Sequence, residues 1–446
     1  MTPLYEMQRG MRAMRRAAIG RGVIGLLDIG THKVSCAVLR VGAGRDMTQT
    51  PGGAVVGPMA GQARVTVIGA HSTRSRGVRL GEIASMHETE RAIRVAVQGA
   101  QREAGVRVDH VIAALAGATP ESALLDGEVE IADECCTEHD IAQALAACEV
   151  PAEPGRHVLH AQPVQFALDH RAGLPDPRGQ IGRRLSTHMH VMTVEAAAIR
   201  NLATCLKRCD LELAGVAGSA YSAGLAALVE DEQELGAACI DLGAGTTSLS
   251  VFVRRHMIHG ATVPLGGEHV TLDLSKGLQV PLARAEAIKT RHGGVIATGA
   301  DDRDIIPLGG ESGDWERDQR TATRSHVIGI MRPRVEEILE EVAAALHDAE
   351  FHRLPAQSVV LTGGGSHVPG IVELAQRMLG VPVRQGHPVR IRGLPNTHHD
   401  AGFSATVGLA LFAAHPQDEW WDFDAPSRAA GYRGFGSALR WLRDNW

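Results

Sequence analysis

Two stretches of the sequence, LLDIGTHKVSCAVL (26–39) and CIDLGAGTTSLSVF (239–252), share one form. Each runs from apolar residues through Asp-apolar-Gly and a few small or polar residues into a second apolar run. Asp28 corresponds to Asp241 and Gly30 to Gly243. A glycine at such a turn lets backbone N–H groups converge on phosphate oxygens with no side chain in the way. Thr31, Thr246 and Thr247 add hydroxyl donors, and Asp28 and Asp241 stand where carboxylates hold Mg²⁺ through its retained water. One such turn is commonplace in hairpins. Two are what a duplicated fold closing on a single ligand requires.

A third stretch, VVLTGGGSHVPGIVELAQRMLG (359–380), reads as strand, glycines and helix, which brings backbone close to a ligand. No GxxxxGK[ST] occurs, so a P-loop site is excluded. VPLGGEHVTLDLSKGL (263–278) leads into ARAEAIKTRHG (283–293), where Glu286 and Lys289 fall at i and i+3 on one helix face. The lysines are Lys33, Lys207, Lys276 and Lys289, so two sit in phosphate-type stretches of an otherwise arginine-dominated chain. A lysine offers a phosphate a point charge or a ribose a donor, unlike arginine's planar fork. No residue declares itself a general base; Asp241, Glu268 and Asp273 are the carboxylates placed to position water.

From Val23 onward, strands and helices alternate, which predicts an α/β architecture. VIGLLDIG and KVSCAVLR read as strands around a tight turn, followed by a Gly-rich loop near 42–61 and the strand RVTVIGA. Residues 87–105 read as a helix, HVIAALAG and SALLDGEVEI as strands, and TEHDIAQALAAC as a helix opened by Thr137 three residues before Asp140. This 85–165 block reads as a small α+β module. The strand THMHVMTV, the helix EAAAIRNLATCLKRC and the second hairpin follow. Residues 298–323 are acidic and rich in helix breakers, predicting an exposed loop, and 326–349 a long helix with Pro333 at a kink or start.

Length and composition bound the rest. A chain of 446 residues exceeds the roughly 250–300 at which single cores stop growing, so two or more domains are expected. A net charge of −6 supplies no general basic surface, and no nucleic-acid partner is expected. Seven cysteines, an odd count scattered through apolar stretches, fit a reducing compartment. The histidines and cysteines form no zinc framework, so no directly bound metal is expected. No run reaches the ~18 apolar residues of a membrane span, and the basic start MQRGMRAMRRAAIGRG, lacking an apolar core, reads as a solvated arm.

Together the two Asp-x-Gly hairpins, GGEHVT and the GGGS loop resemble the actin, sugar-kinase and heat-shock chaperone ATPase superfamily. More narrowly, AGSAYSAGLAALVEDEQELGAACIDLGAGTTSLSVF, AEAIKTRHG, VVLTGGGSHVPGIVELAQRMLG and ATVGLALFA resemble the bacterial cell-division family FtsA, over about residues 22–415. The resemblance implies an actin-like, duplicated ribonuclease H-like fold: two halves around a nucleotide cleft, a small inserted α+β module, and a C-terminal amphipathic helix. It divides the chain into a basic arm (1–20), subdomain IA (21–84, 166–200, 396–415), an inserted IC (85–165), IIA (201–265, 325–395), IIB (266–324), an acidic linker (416–432) and the terminal helix (433–446).

By the same resemblance ATP, with Mg²⁺ held through water by Asp28 and Asp241, would meet Gly30, Thr31 and Lys33 at one turn and Gly243, Gly245, Thr246 and Thr247 at the other. Gly266, Gly267, Glu286, Lys289, Gly363, Gly364, Gly365 and Ser366 would complete the site. The stretch RPRVEEIL nominates Arg334 and Glu337 to bind the C-terminal peptide of the tubulin-like protein FtsZ. His32 departs from the small or polar residues usual at the first turn. The family implies ATP-dependent self-assembly with at most feeble turnover, recruitment of later division proteins, and a place on the cytoplasmic face of the inner membrane at the septum. A pilus-assembly relative and a small-molecule kinase are the competing readings; the first is not expected to end in a membrane helix, and the second favours larger inserted domains.

Four of the five tryptophans follow residue 419. At 100° per residue Phe435, Leu439, Leu442 and Trp446 share an arc with Trp441 at its flank, while Arg433, Arg440 and Arg443 lie opposite. This pattern fits an interfacial helix. Its large apolar side chains contribute at most roughly 1.5–3 kcal/mol each, against ~1–2 kcal/mol per ordered residue, so one copy binds weakly and many on a filament bind firmly.

Overall fold

In a computed structural model of the chain, the described residues are 3–42, 64–150, 153–309 and 319–423. The chain opens with helix α1 (Pro3–Gly20). Strands β1 (Val23–Ile29), β2 (Lys33–Gly42) and β3 (Arg64–Arg74) form an antiparallel meander, followed by the minor pair β4 (Val78–Arg79) and β5 (Glu82–Ile83), helix α2 (Met86–Ala104) and strand β6 (His110–Leu115). A separate unit follows: β7 (Glu121–Glu130), α3 (Glu138–Ala146), β8 (Arg156–Leu168), β9 (Arg171–Leu174) and β10 (Arg184–Glu195). Helix α4 (Ala196–Arg208) and strand β11 (Glu212–Gly218) return to the first sheet, whose order is β11-β6-β1-β2-β3.

Helices α5 (Ser219–Ala227) and α6 (Glu230–Leu235) lead into a second meander, β12 (Ala237–Leu242), β13 (Thr247–Val253) and β14 (His256–Val263). Helices α7 (Gly267–Leu278) and α8 (Leu282–His292), the pair β15 (Ile305–Pro307) and β16 (Thr321–Thr323), and the long helix α9 (Arg324–Asp348) come next. Strand β17 (Ser358–Thr362), helix α10 (Ile371–Leu379), strand β18 (Val383–Gln385) and helix α11 (Ser404–Ala414) complete the fold. The second sheet runs β14-β13-β12-β17-β18. Counted along the chain, both sheets have the order 5-4-1-2-3, with strands 4 and 5 parallel to strand 1.

The central strands β1 and β12 are almost wholly buried, as continuous apolar runs covered on both faces must be. Each ends one residue past its aspartate, so both aspartates stand at carboxyl ends of parallel strands, where open α/β sheets hold ligands, and both line one cavity. The halves meet through α5 and α11, two helices apolar on all sides. Small residues permit their approach: a Cβ on Gly408 would lie 1.7 Å from the Ser222 carbonyl oxygen.

Three expectations are corrected. The inserted unit is the four-stranded sheet β7-β10-β8-β9 with α3, not residues 85–165, because α2 packs on β2 and β3 while β6 pairs with β1. Residues 166–195 accordingly belong to that unit and β11 to the first sheet, rather than to IA and IIA. The basic start forms helix α1: Met7, Met11, Met14 and Ala18 recur at helical spacing and pack on the first core, which a reading by charge overlooked. In the segment read as an acidic linker, residues 416–423 are docked, with Trp421 and Phe423 buried in the core of the inserted unit. Thr137 does cap α3, in a reciprocal box with Asp140. Residues 424–446, with Phe435, Leu439, Trp441, Leu442 and Trp446, lie outside the described residues. Among the described residues no helix is long and apolar enough to cross a membrane.

Candidate nucleotide site

The two Asp-x-Gly hairpins have the same geometry. Asp28 pairs in register with Ser35 and Asp241 with Ser248. The Gly30 N–H donates to the Lys33 carbonyl at 2.9 Å, and the Gly243 N–H to the Thr246 carbonyl at 3.0 Å. The turns touch across the cleft: a Cβ on Gly245 would come within 2.4 Å of the Thr31 hydroxyl. That hydroxyl in turn accepts the Gly81 N–H at 3.2 Å.

Between the halves lies a cavity of about 450 Å³. Its walls include Asp28, Gly30, Thr31, His32 and Lys33 from the first half. Asp241, residues 243–247, Gly266, Gly267, Glu268, Glu286 and Lys289 come from the second, as do Gly363, Gly364 and Gly365. Val335, Ile338 and Leu339 of α9 and Val368 add an apolar wall. Glycine is required at particular points. Gly363 has φ +80°, and a Cβ there would meet the Asp241 carboxylate; one on Gly266 would strike the Ala244 carbonyl oxygen at 2.6 Å. Gly364 faces open space.

The charges are concentrated. Burial pushes the Asp28 carboxyl up, with Lys33 and the Thr406 hydroxyl pulling it back. Burial and the neighbouring Asp28 push Asp241 up to about 7, again against Lys33. Both carboxylates are hemmed in by protein yet keep some surface toward the cavity. Burial lowers Lys33, opposed by Asp28, Asp400 and Asp241, and its ammonium sits 3.2 Å from the centroid of the Phe403 ring. Two buried acids disfavoured as anions, served chiefly by one lysine, fit a site completed by a cation.

The second half builds a rigid adjoining cluster. Lys289 Nζ lies 2.7 Å from Glu286 Oε2 and donates to the Thr271 hydroxyl at 2.8 Å and the Gly267 carbonyl at 3.0 Å. Burial works against the Glu286 carboxylate, but Lys289 and the Thr271 hydroxyl outweigh it and hold its pKa below the ordinary value. The Gly267 and Glu268 N–H groups donate to the Gly243 and Ala244 carbonyls, lashing the start of α7 to the second turn.

Not every nominated residue faces the cavity. Ser366 is buried and donates its hydroxyl to the Gly363 carbonyl at 2.7 Å, shaping the loop from behind. Asp273 is held by Arg334 on the far side of α7, at 2.7 Å, so it does not position water in the cavity; Glu268 is exposed at its rim. Arg334 and Glu337 are paired with one another on α9. The sequence reading missed Thr271, His367, Asp400 and Phe403. Asp400 accepts the Gly402 N–H at 2.8 Å and pairs with His367, also at 2.8 Å, beside Lys33. Its signal was a third Asp-x-Gly, Asp400-Ala401-Gly402, outside any hairpin.

This geometry agrees with what the chain is similar to. Residues 238–408 match the family model described as cell division protein FtsA, and residues 117–193 that of the SHS2 domain inserted in FtsA, which coincides with β7 to β10. The cell division protein FtsA of Agrobacterium fabrum is 36% identical over 392 residues, 87% of this chain and 86% of that protein. That of Pseudomonas aeruginosa is 31% identical over 403 residues, covering 90% and 91%. Among solved structures, the PilM-PilN type IV pilus biogenesis complex aligns with 88% of this chain and 99% of its own at a TM-score of 0.59 and 16% identity. MreB5 of Spiroplasma citri bound to ADP aligns with 88% and 96% at 0.51 and 14%. At such identities the likeness is of fold alone, and the fold is actin-like with an inserted unit. Sequence identity across both halves and the insert carries the rest: the chain belongs to the FtsA family of actin-like cell division proteins.

Proposed function

We propose that this actin-like cell division protein binds ATP with Mg²⁺ between its halves, assembles with copies of itself, and tethers FtsZ filaments to the cytoplasmic face of the inner membrane at the division site. The observation that carries the nucleotide reading is the pair of matched turns meeting across the cavity, Gly245 against Thr31, with Asp28, Asp241 and Lys33 behind them. Gly30, Thr31, Gly243, Gly245, Thr246 and Thr247 would offer donors to phosphate, and Glu286 and Lys289 would hold the nucleoside end. Asp28 and Asp241 would hold Mg²⁺ through water; the ion supplies positive charge against the phosphates. Turnover is at most weak, and Glu268 is the carboxylate exposed at the rim to orient water.

Arg334 and Glu337 on α9 are the proposed FtsZ contact, where an acidic peptide would compete with Asp273 for the guanidinium. Residues 433–446 are the proposed membrane contact, and later division proteins are recruited to the assembled polymer. The deciding experiment is pull-down of the full chain on the FtsZ C-terminal peptide, with and without Mg-ATP, beside Arg334→Glu. Capture by the parent and at least tenfold less by the variant is expected; no capture by the parent overturns the tethering reading. Flotation of the full chain against a 1–432 truncation tests the membrane contact, and equal flotation removes it.

A further inference from the structure

The inserted unit is joined to the first half at two crossings that lie side by side. One is formed by residues 116–120, between β6 and β7; the other is at Glu195, between β10 and α4. The first has an uncommon backbone: Gly117, Ala118 and Thr119 have φ of +71°, +61° and +40° in succession. Glycine takes such values freely, whereas Ala118 and Thr119 carry a Cβ into the left-handed region, and Ala118 is wholly buried. Residues persist in that region only where their surroundings hold them, and strain of this kind collects at switch points.

The holds come from different parts of the molecule. The Ala118 N–H donates to Glu82 Oε1 of β5 at 3.1 Å. The Ala118 carbonyl accepts the Glu195 N–H at 3.1 Å, and the Thr119 hydroxyl donates to Glu195 Oε1 at 2.9 Å, tying the two crossings together. The Thr119 carbonyl accepts Arg156 Nη2 from β8 at 2.7 Å. The β4–β5 turn that supplies Glu82 also reaches the nucleotide cavity. Its Gly81 N–H donates to the Thr31 hydroxyl, and a Cβ on Gly81 would lie 2.7 Å from both the Ala116 carbonyl carbon and the Gly117 nitrogen. A Cβ on Gly245 would come within 3.1 Å of the Leu80 nitrogen. The tip of this turn is therefore wedged between the two glycine turns and the start of the strained segment, and Ala116 itself lines the cavity. Behind the wedge a void of about 60 Å³, bordered by Gly81, Glu82, Ala116, Glu195 and Leu202, leaves the segment room to shift.

We propose that residues 117–119 are a hinge that re-sets the inserted unit against the second half when a nucleoside triphosphate enters the cavity, a role that rests on the nucleotide reading above. Phosphate between the turns alters the spacing of Thr31 and Gly245. The Leu80–Gly81 tip touches both and passes the change to Ala116 and Gly117. A segment held by side chains from three elements, in a conformation its own residues disfavour, has a second arrangement within reach. The far end of the movement is the seam where Ser122 of β7 accepts the Gly260 N–H of β14 at 2.9 Å.

The test compares hydrogen exchange along β7 and β14 of the full chain with and without Mg-ATP, with ATP affinity measured alongside by calorimetry. Mg-ATP is expected to change exchange at the Gly260 amide by about fivefold, the low end of coupling between linked sites. Glu82→Ala removes the acceptor of the Ala118 N–H and touches no wall of the cavity. It should abolish that response while changing ATP affinity by no more than the same factor, because coupling is reciprocal. Glu82→Gln keeps an acceptor oxygen and should keep the response. Thr119→Val, at an exposed position, loses the hydroxyl bonded to Glu195 and should weaken the response in a chain that folds as the parent does. ATP binding by the parent with exchange at Gly260 unchanged overturns the hinge alone. So does a full response in Glu82→Ala or, where that chain does not fold, in Thr119→Val; so does loss of the response in Glu82→Gln, or a larger loss of affinity in Glu82→Ala. Absence of ATP binding by the parent overturns the nucleotide reading, and the hinge with it.

Discussion

The two halves are built on one plan and put to different uses. Both sheets run 5-4-1-2-3, both hairpins place their aspartate opposite a serine, and both turns close with the same hydrogen bond. The first turn fills its positions with Thr31, His32 and Lys33, whereas the second uses Ala244, Gly245 and Thr246. One side therefore brings charge and the other brings room and bare backbone. The insertions diverge as well. In the second half, α7 and α8 enter before the fourth strand and reach the cavity with Gly267, Glu268, Glu286 and Lys289. In the first half, the extra unit enters after the fourth strand, and packs against β14 and the chain's last described turn. The turns are alike in the two halves; what is inserted into each half sets its role.

The largest expected effect comes from disturbing the joint that lets one half face the other. Gly408→Ala sets a Cβ 1.7 Å from the Ser222 carbonyl, so α5 and α11 must separate. Overpacking of this kind costs about 1–3 kcal/mol or more, read as a lower urea midpoint. An unchanged midpoint would mean the halves are not clamped there. Next is the carboxylate pair. Asp241→Asn should weaken Mg-ATP binding by about 10–100-fold, as loss of outer-shell metal partners does, with a smaller effect on binding without Mg²⁺. Equal losses with and without the ion would assign Asp241 to folding rather than to the cation.

The same substitution has a pH signature opposite to that of a surface aspartate. Burial raises Asp241 from 3.8 to about 7, so between those values the native state holds a proton that the unfolded chain has released. Stability is present below about pH 4 and is lost as pH rises through 7. Asp28, raised for the same reason, acts in the same direction. Without ligand, Asp241→Asn should therefore melt above the parent at pH 8, the gap closing toward pH 4. A gap that widens on acidification would contradict the burial argument.

What could be read in advance follows the range of the interactions. The Asp-x-Gly turns, the glycine loop after β17 and the Thr137 cap are set by residues within a few positions of each other, and each lies where its pattern put it. The limits of the inserted unit were misplaced because α2 and β6 carry patterns compatible with either sheet. Their membership is decided by pairing with β1 and packing on β2 and β3, contacts distant in sequence. Ser366 and Asp273 have suitable types and neighbours, but one hydroxyl is turned to the Gly363 carbonyl and one carboxylate to Arg334. Side-chain direction of that kind is absent from spacing. Asp400 and Phe403 reach Lys33 only once α11 has folded back beside β1.

A smaller effect tests the seam between the inserted unit and the second half. Ser122 accepts the Gly260 N–H at 2.9 Å, donates to the Gly260 carbonyl at 3.1 Å and meets His190 Nε2 at 3.1 Å. Ser122→Ala leaves a strand-edge N–H and a buried histidine without that partner, costing about 1–3 kcal/mol. Gly260 lies on β14, only a few residues before Gly266 and Gly267 at the cavity. Loosening the seam should thus also raise hydrogen exchange along β14 and β7, whereas Gly364→Ala supplies the contrast. Its Cβ meets nothing within 4 Å, so stability and exchange should stay as in the parent while ATP affinity alone falls. If Gly364→Ala destabilises the fold as much as Ser122→Ala does, the glycine loop is a packing element and the division between scaffold and ligand surface in the second half is drawn in the wrong place.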